Sequence, residues 1–163
     1  MVFEVGIGTS QNWDPEKAAE EVITQALSKL SKPPSFVLLF STIHYEKNKG
    51  FQKILGKIYE KIPKETKLVG GTVAGFMNND GCYIQGLTMM ASYSDEIRIT
   101  EGIGYNTKRN PKKAAVDFVK MIKGNQQKKN NVCIILISGA KASLFPFRRR
   151  RVINIPFDFF IPL

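Results

Sequence analysis

Between Val2 and Gly70 the chain alternates apolar runs with helical stripes, and that order limits the fold more than any other feature. Val2 to Gly8 alternates and is rich in β-formers, which predicts a strand. Asp14-Pro15 supplies a helix cap with proline at the first helical position, where its missing N–H costs nothing. Ala18, Ala19, Val22, Ile23, Ala26, Leu27 and Leu30 then recur at helical spacing, and Pro33-Pro34 closes the helix. Ser35 to Ser41 is a continuous apolar run, as in a strand buried on both faces. Phe51, Ile54, Leu55, Ile58, Tyr59 and Ile62 mark a second amphipathic helix ended by Pro63, and Lys67 to Gly70 leads into a glycine-bearing loop. Strand, helix, strand, helix, strand is the signature of a parallel sheet with right-handed crossovers.

The pattern then changes. Asn78-Asn79-Asp80-Gly81 predicts a tight hairpin turn, and Cys82 to Tyr93 and Glu96 to Thr100 read as antiparallel strands. After that the chain starts again. Gly6-Ile7-Gly8 precedes Asp14-Pro15-Glu16-Lys17-Ala18-Ala19, and Gly102-Ile103-Gly104 precedes Asn110-Pro111-Lys112-Lys113-Ala114-Ala115 at the same distance. A helix stripe (Phe118, Val119, Ile122) and the apolar run Val132 to Ser138 follow, the counterpart of Ser35 to Ser41. The expected fold is therefore α/β, a mixed, largely parallel sheet flanked by helices, built from an internal duplication whose second unit is incomplete. Residues 1–101 form the first unit with its hairpin, and residues 102–140 begin the second. Residues 141–163, with four consecutive arginines and no helical period, form an atypical basic and apolar tail that reads as the replaced end of a truncated unit.

The formal net charge of +10 bears on partners only after dissection. Arg148 to Arg151 contribute four positive charges and Asp158 one negative, leaving 20 basic against 13 acidic residues elsewhere. Those lysines lie on helix faces and turns without interleaved aromatics, so nucleic acid is the least favoured of the partner classes. No run approaches the roughly 20 apolar residues of a membrane helix, and the N-terminus lacks the charged and apolar regions of a secretory signal. Cys82 and Cys133 match neither a metal spacing nor a disulfide framework and read as buried free thiols. A cytoplasmic location is the default.

No pattern marks a catalytic residue, metal or cofactor. His44, the single histidine, follows a buried strand at the edge where parallel sheets bind ligands. It reads either as a ligand contact or proton carrier, or as a loop histidine bonded to nearby backbone. A hydrolase or transferase would use His44 with Ser41 or Thr72, but no nucleophile elbow surrounds either. Residues 6–11, GIGTSQ, lack the third glycine of a dinucleotide loop and the lysine of a P-loop. They fit a ligand-lining strand end better, with Thr9 and Ser10 as small donors and acceptors. LVGGTVAG is more specific: Gly70 and Gly71 let backbone approach a ligand or neighbouring strand, Thr72 adds a hydroxyl, and Ala74-Gly75 keeps the far side open. A pocket formed by Gly71, Thr72, Ala74, Gly75, Ser41, His44, Thr9 and Ser10 suits a small polar metabolite. A half-complete duplicated unit would also expose sheet edge and apolar surface, which makes a homodimer an expected state.

VGIGTSQNWDPEKAAEEVITQAL, the strand FVLLFST, LVGGTVAGF and the hairpin DGCYIQGLTMM, in that order, resemble the N-terminal domain of the FIST family over about Val2 to Ser138. The resemblance implies an intracellular sensory domain found with signal-transduction modules, with amino acids or related metabolites as ligands and a signalling partner downstream. It carries Gly71, Thr72, Ala74 and Gly75 onto the family's glycine loop. Gly71 stands where cysteine is common, so any role of that thiol is absent here.

Overall fold

Asp14 sets the first helix in place. Its carboxylate accepts from the backbone N–H groups of Glu16 and Lys17, both at 2.9 Å, and Pro15 follows as the first helical residue. The computed structural model describes residues 2–123 together with 132 and 134–136, and these divide into a unit spanning residues 2–99 and another beginning at Thr100.

In the first unit, strand β1 (Phe3–Ser10) leads to helix α1 (Pro15–Leu27) and strand β2 (Phe36–Thr42). Two short 3-10 turns connect to helix α2 (Gly50–Lys61), which is followed by β3 (Lys67–Val73), the hairpin strands β4 (Phe76–Asn78) and β5 (Gly81–Tyr83), and β6 (Leu87–Ser94). The main sheet has the order β1-β6-β2-β3. The sheet is mixed, but its order differs from a simple parallel series: β6 lies between β1 and β2, antiparallel to both, and only β2–β3 pair in parallel. β1, β2 and β3 nevertheless point the same way, so their C-terminal ends share one edge. Composition explains the insertion. β6 buries Leu87, Met89 and Ala91 and suits a central position, whereas β1 leaves Phe3, Val5 and Ile7 exposed and lies at an edge.

The predicted single run from Cys82 to Tyr93 is broken at Gly86, whose φ of +139° is open to glycine. A Cβ there would lie 2.4 Å from the Ser10 carbonyl oxygen. The strand predicted over Glu96 to Thr100 is not formed. Ser94 Oγ instead accepts from the N–H groups of Glu96 and Ile97, turning the chain out of the sheet. Cys82, predicted as buried, is exposed on the hairpin. Cys133, Ser138 and the tail 141–163 lie outside the described residues. Of the run from Val132 to Ser138, residues 132 and 134–136 are described; they form no strand, and Val132 and Ile134 are exposed.

Helices α1 and α2 pack against each other and contribute Val22, Ala26, Ile54 and Ile58 to one core with Val37, Leu39, Leu68, Leu87 and Met89 of the sheet. Two acidic residues of α1 are tied to α2: Glu16 meets Lys53 at 3.6 Å and Glu20 meets Lys57 at 3.7 Å. These exposed pairs contribute little. Glycine makes the close approach of α1 to β1 feasible, since a Cβ on Gly8 would lie 2.1 Å from the Val22 carbonyl oxygen and one on Gly6 1.9 Å from that of Ala26.

The second unit repeats this device. Helix α3 (Pro111–Lys123) starts at Asn110, whose side chain accepts from Lys113 N–H at 3.1 Å. A Cβ on Gly104 would lie 2.2 Å from the Ala114 carbonyl oxygen, and one on Gly102 2.9 Å from that of Phe118. The carbonyls met are four residues apart in both units, but the second pairing is displaced by one helical turn relative to the sequence match. Among the described residues no helix is long and apolar enough to cross a membrane.

Three hydrogen-bonded carboxylates make a pH prediction. Asp14 is held below its ordinary 3.8, mainly by the Lys17 backbone N–H. Glu4 is held below 4.5 by the Ser31 hydroxyl, then by the Ser31 N–H. Glu21 is lowered by the Ser10 hydroxyl and then the Asn12 amide. Depressed folded values mean that stability is present above the unfolded values and is lost as pH falls through the folded ones. The melting temperature should hold steady down to about pH 5 and then fall. Asp14→Ala should lower it by a few degrees at pH 7 and flatten part of the acid limb in thermal scans.

Candidate functional site

The edge where β1, β2 and β3 end is built from short hydroxyl side chains. Register places Ser10 opposite Leu87, Leu87 opposite Ser41, and Ser41 opposite Thr72, forming one rung across all four strands. In β2 and β3 this rung lies on the face of Leu39 and Leu68, the face covered by the helices, and Ser10, Ser41 and Thr72 are each at least 96% buried. The next rung inward, Gly8, Met89, Leu39 and Gly70, is apolar.

Each rung hydroxyl has a different fate. Ser10 Oγ donates to Glu21 Oε2 at 2.5 Å, while Glu21 Oε1 accepts from the Asn12 amide at 3.0 Å. Tyr45 OH donates to the Asn12 carbonyl, fastening the loop between β1 and α1. Burial, and secondarily the Glu21 charge, pushes the Tyr45 phenol up to about 12, so it stays protonated throughout the physiological range. Ser41 Oγ donates to the Thr42 carbonyl at 3.1 Å. Thr72 Oγ1 is buried without a hydrogen-bond partner among the described residues.

The opposite face of the same edge holds the other predicted residues. Thr9 Oγ1 lies 3.4 Å from Thr88 Oγ1 and accepts from the Asn78 amide at 3.1 Å, which ties the hairpin to the sheet. Asn78 Oδ1 also accepts from the N–H groups of Asp80 and Gly81, as its reading as a turn residue requires. Thr42, fully buried, clasps Gly86: its N–H donates to the Gly86 carbonyl, and its Oγ1 accepts from the Gly86 N–H at 3.0 Å.

His44 stands just beyond, exposed, with Nδ1 3.1 Å from Thr42 Oγ1 and its ring edge-to-face with exposed Trp13 at 5.9 Å. The imidazole is thus bonded to Thr42 and not to Ser41 or Thr72, and the arrangement expected of a hydrolase is not assembled. If the Thr42 hydrogen serves the Gly86 carbonyl, His44 donates from Nδ1 to Thr42 Oγ1.

The glycine loop serves packing more than was expected. A Cβ on Gly70 would lie 1.7 Å from the Leu39 carbonyl oxygen, so this glycine brings β3 against β2. One on Gly75 would lie 2.6 Å from the Tyr83 carbonyl oxygen, so that glycine seats the loop on the hairpin, where Phe76 stacks on Tyr83 at 5.2 Å. Gly71 is buried and faces the side opposite Thr72, while Ala74 is exposed. Of the residues predicted as one pocket, Ser10, Ser41 and Thr72 therefore lie on one face of the sheet edge, and Thr9 and Gly71 on the other. Thr42, Gly86 and Gln85 were not singled out in the sequence. Gln85 Nε2 is buried without a partner among the described residues, and only its place beside Gly86, between two strands, could have drawn notice.

A cleft of about 500 Å³ lies away from this rim, lined by Leu27, Leu30, Pro34, Lys61, Ile62 and Pro63 at the C-terminal ends of α1 and α2. Among the described residues no cluster of three or more His, Cys, Asp or Glu could hold a metal ion.

The FIST N domain profile matches residues 35–149, well over half of the chain. The chain belongs to the FIST N domain family. That span takes in β2, the glycine strand β3, the hairpin and β6, and it leaves out the β1–α1 segment on which part of the resemblance rested. FIST domains are associated with sensory signal transduction. No curated protein matches the chain.

Proposed function

We propose that this FIST N domain binds a small polar metabolite, an amino acid or a related compound, at the shared C-terminal edge of β1, β2 and β3, and that occupancy is the signal it passes to a partner. The observation that carries the reading is the buried Thr72 hydroxyl, without a hydrogen-bond partner among the described residues, on the same rung as Ser41 and Ser10. A buried polar group without a partner is uncommon in a native fold and calls for one. Small hydroxyls and backbone groups with a flanking imidazole suit recognition of a neutral or zwitterionic compound better than acid–base chemistry. A cytoplasmic location fits an intracellular sensor, and a homodimer would cover the exposed Phe3, Val5 and Ile7 of the edge strand.

Thermal shift against the twenty amino acids and a set of small amides, hydroxy compounds and carboxylates tests this. At least one compound should raise the melting point, since a ligand at 100 times its Kd adds about 2.7 kcal/mol. No shift across the set, with no small molecule retained in native mass spectrometry, would reject the reading.

A further inference from the structure

Two buried side-chain polar atoms lack a partner among the described residues, Thr72 Oγ1 and Gln85 Nε2, and both fall at the sheet edge proposed above for the ligand. Thr72 is the second-last residue of β3, and Gln85 stands two residues before β6. Leu87 pairs with Ser41 and Ser41 with Thr72, so the Gln85 end of β6 and Thr72 are two strand spacings apart, about 10 Å. Orphaned buried groups are costly, and one small molecule lying along the edge would satisfy both.

From this, and resting on the ligand-binding reading above, we infer that Thr72 and Gln85 are the two contacts that grip the ligand, and that it meets them with neutral groups. Gln85 Nε2 can only donate, so the ligand presents a carbonyl or hydroxyl oxygen to it. Thr72 either donates or accepts at the other end. The buried polar residues of the chain's described part are all serine or threonine, with no lysine or arginine among them. A carboxylate buried there would lose its hydration without a cation to replace it. The favoured ligand is therefore compact and presents an amide or hydroxyl at each contact, any charge remaining at the solvent side.

The test uses the full chain as wild type and as Thr72→Val, Thr72→Ser and Gln85→Met, with matched probes: glutamine against glutamate, asparagine against aspartate, acetamide against acetate, within the wider metabolite set. Thr72→Val keeps the branched shape and removes the orphan hydroxyl, so without ligand its melting point should rise by about 2–5 °C. Its affinity for any stabilising compound should fall about tenfold, as should that of Gln85→Met, while Thr72→Ser retains binding. A drop in the ligand-free melting point of Thr72→Val would mean that the hydroxyl already has an internal partner, and would overturn the proposal. So would a wild-type ligand bound equally by Thr72→Val and Gln85→Met, which leaves the sensory reading standing, or a response confined to the carboxylate probes. Silence from the wild type against every compound defeats both.

Discussion

Gly8→Ala is expected to cost on the order of 3 kcal/mol or more and to lower the melting temperature by over about 10 °C. The new Cβ would lie 2.1, 2.7 and 2.8 Å from the carbonyl oxygen, carbonyl carbon and Cα of Val22. All three are backbone atoms in the middle of α1, so no rotamer change relieves the contact. Relief requires α1 to lift from β1, which withdraws fully buried Val22 and Ala26 from the core they share with Met89 and Ala91. Folded domains hold only about 5–15 kcal/mol in reserve, so a loss of this size is a large share. Gly56→Ala supplies the opposite sign in the same experiment. Gly56 lies inside α2 with nothing within 4 Å of a built Cβ, and alanine there should stabilise by about 0.5–1 kcal/mol. If both substitutions destabilise alike in thermal or urea unfolding, close helix–strand contact at Gly8 is not what holds α1 in place.

The contrast between these two glycines shows what could be read from the sequence. The helices were legible because each declares itself locally: Asp14-Pro15 caps α1, and Ala18, Ala19, Val22, Ile23 and Ala26 keep its buried stripe at helical spacing. β2 was legible because its apolar residues lie together. The place of β6 was not, because strand order is set by which strand can be buried on both sides, and that depends on residues distant in the chain. Leu87, Met89 and Ala91 outcompeted β1 for the position beside β2. The strand predicted beyond Glu96 failed for a local reason, the Ser94 hydroxyl capturing two backbone N–H groups.

At the candidate site the sequence brought the ends of β1, β2 and β3 to one edge, as the fold does, but it did not separate the two sides of that edge. Side chains alternate along a strand, so Thr9 and Ser10 point to opposite faces, as do Gly71 and Thr72. Residues adjacent in a motif are thereby separated in space. Gly70 and Gly75 were equally ambiguous: the same residue admits a ligand or a neighbouring carbonyl, and only the fold places Leu39 and Tyr83 against them. Gln85 carried no sequence signal because its distinction is a missing partner, which exists only after folding.

Leu39→Ala should be as damaging as Gly8→Ala by the reverse mechanism, a cavity in place of a clash. Leu39 is fully buried in β2, with Gly70 opposite it in β3 and Met89 in β6, and it shares the core with Ile54 and Ile58 of α2. Truncating a buried leucine costs about 2–5 kcal/mol, depending on how far the surroundings collapse into the void. Collapse is limited here. Gly70 has no side chain to swing in, and its backbone already abuts the Leu39 carbonyl, so β2 and β3 can draw no closer. The loss should thus fall near the upper end, about 4–5 kcal/mol, read as a lower urea midpoint with an unchanged slope. Leu39→Met, which keeps the volume, should lose less than about 1.5 kcal/mol. Ile7→Ala, on an edge strand with its side chain 55% exposed, should change stability by no more than about 0.5 kcal/mol. A loss at Ile7 matching that at Leu39 would mean that the outer face of β1 is buried in solution, and a concentration-dependent midpoint in the wild type would then assign that burial to a second copy of the chain.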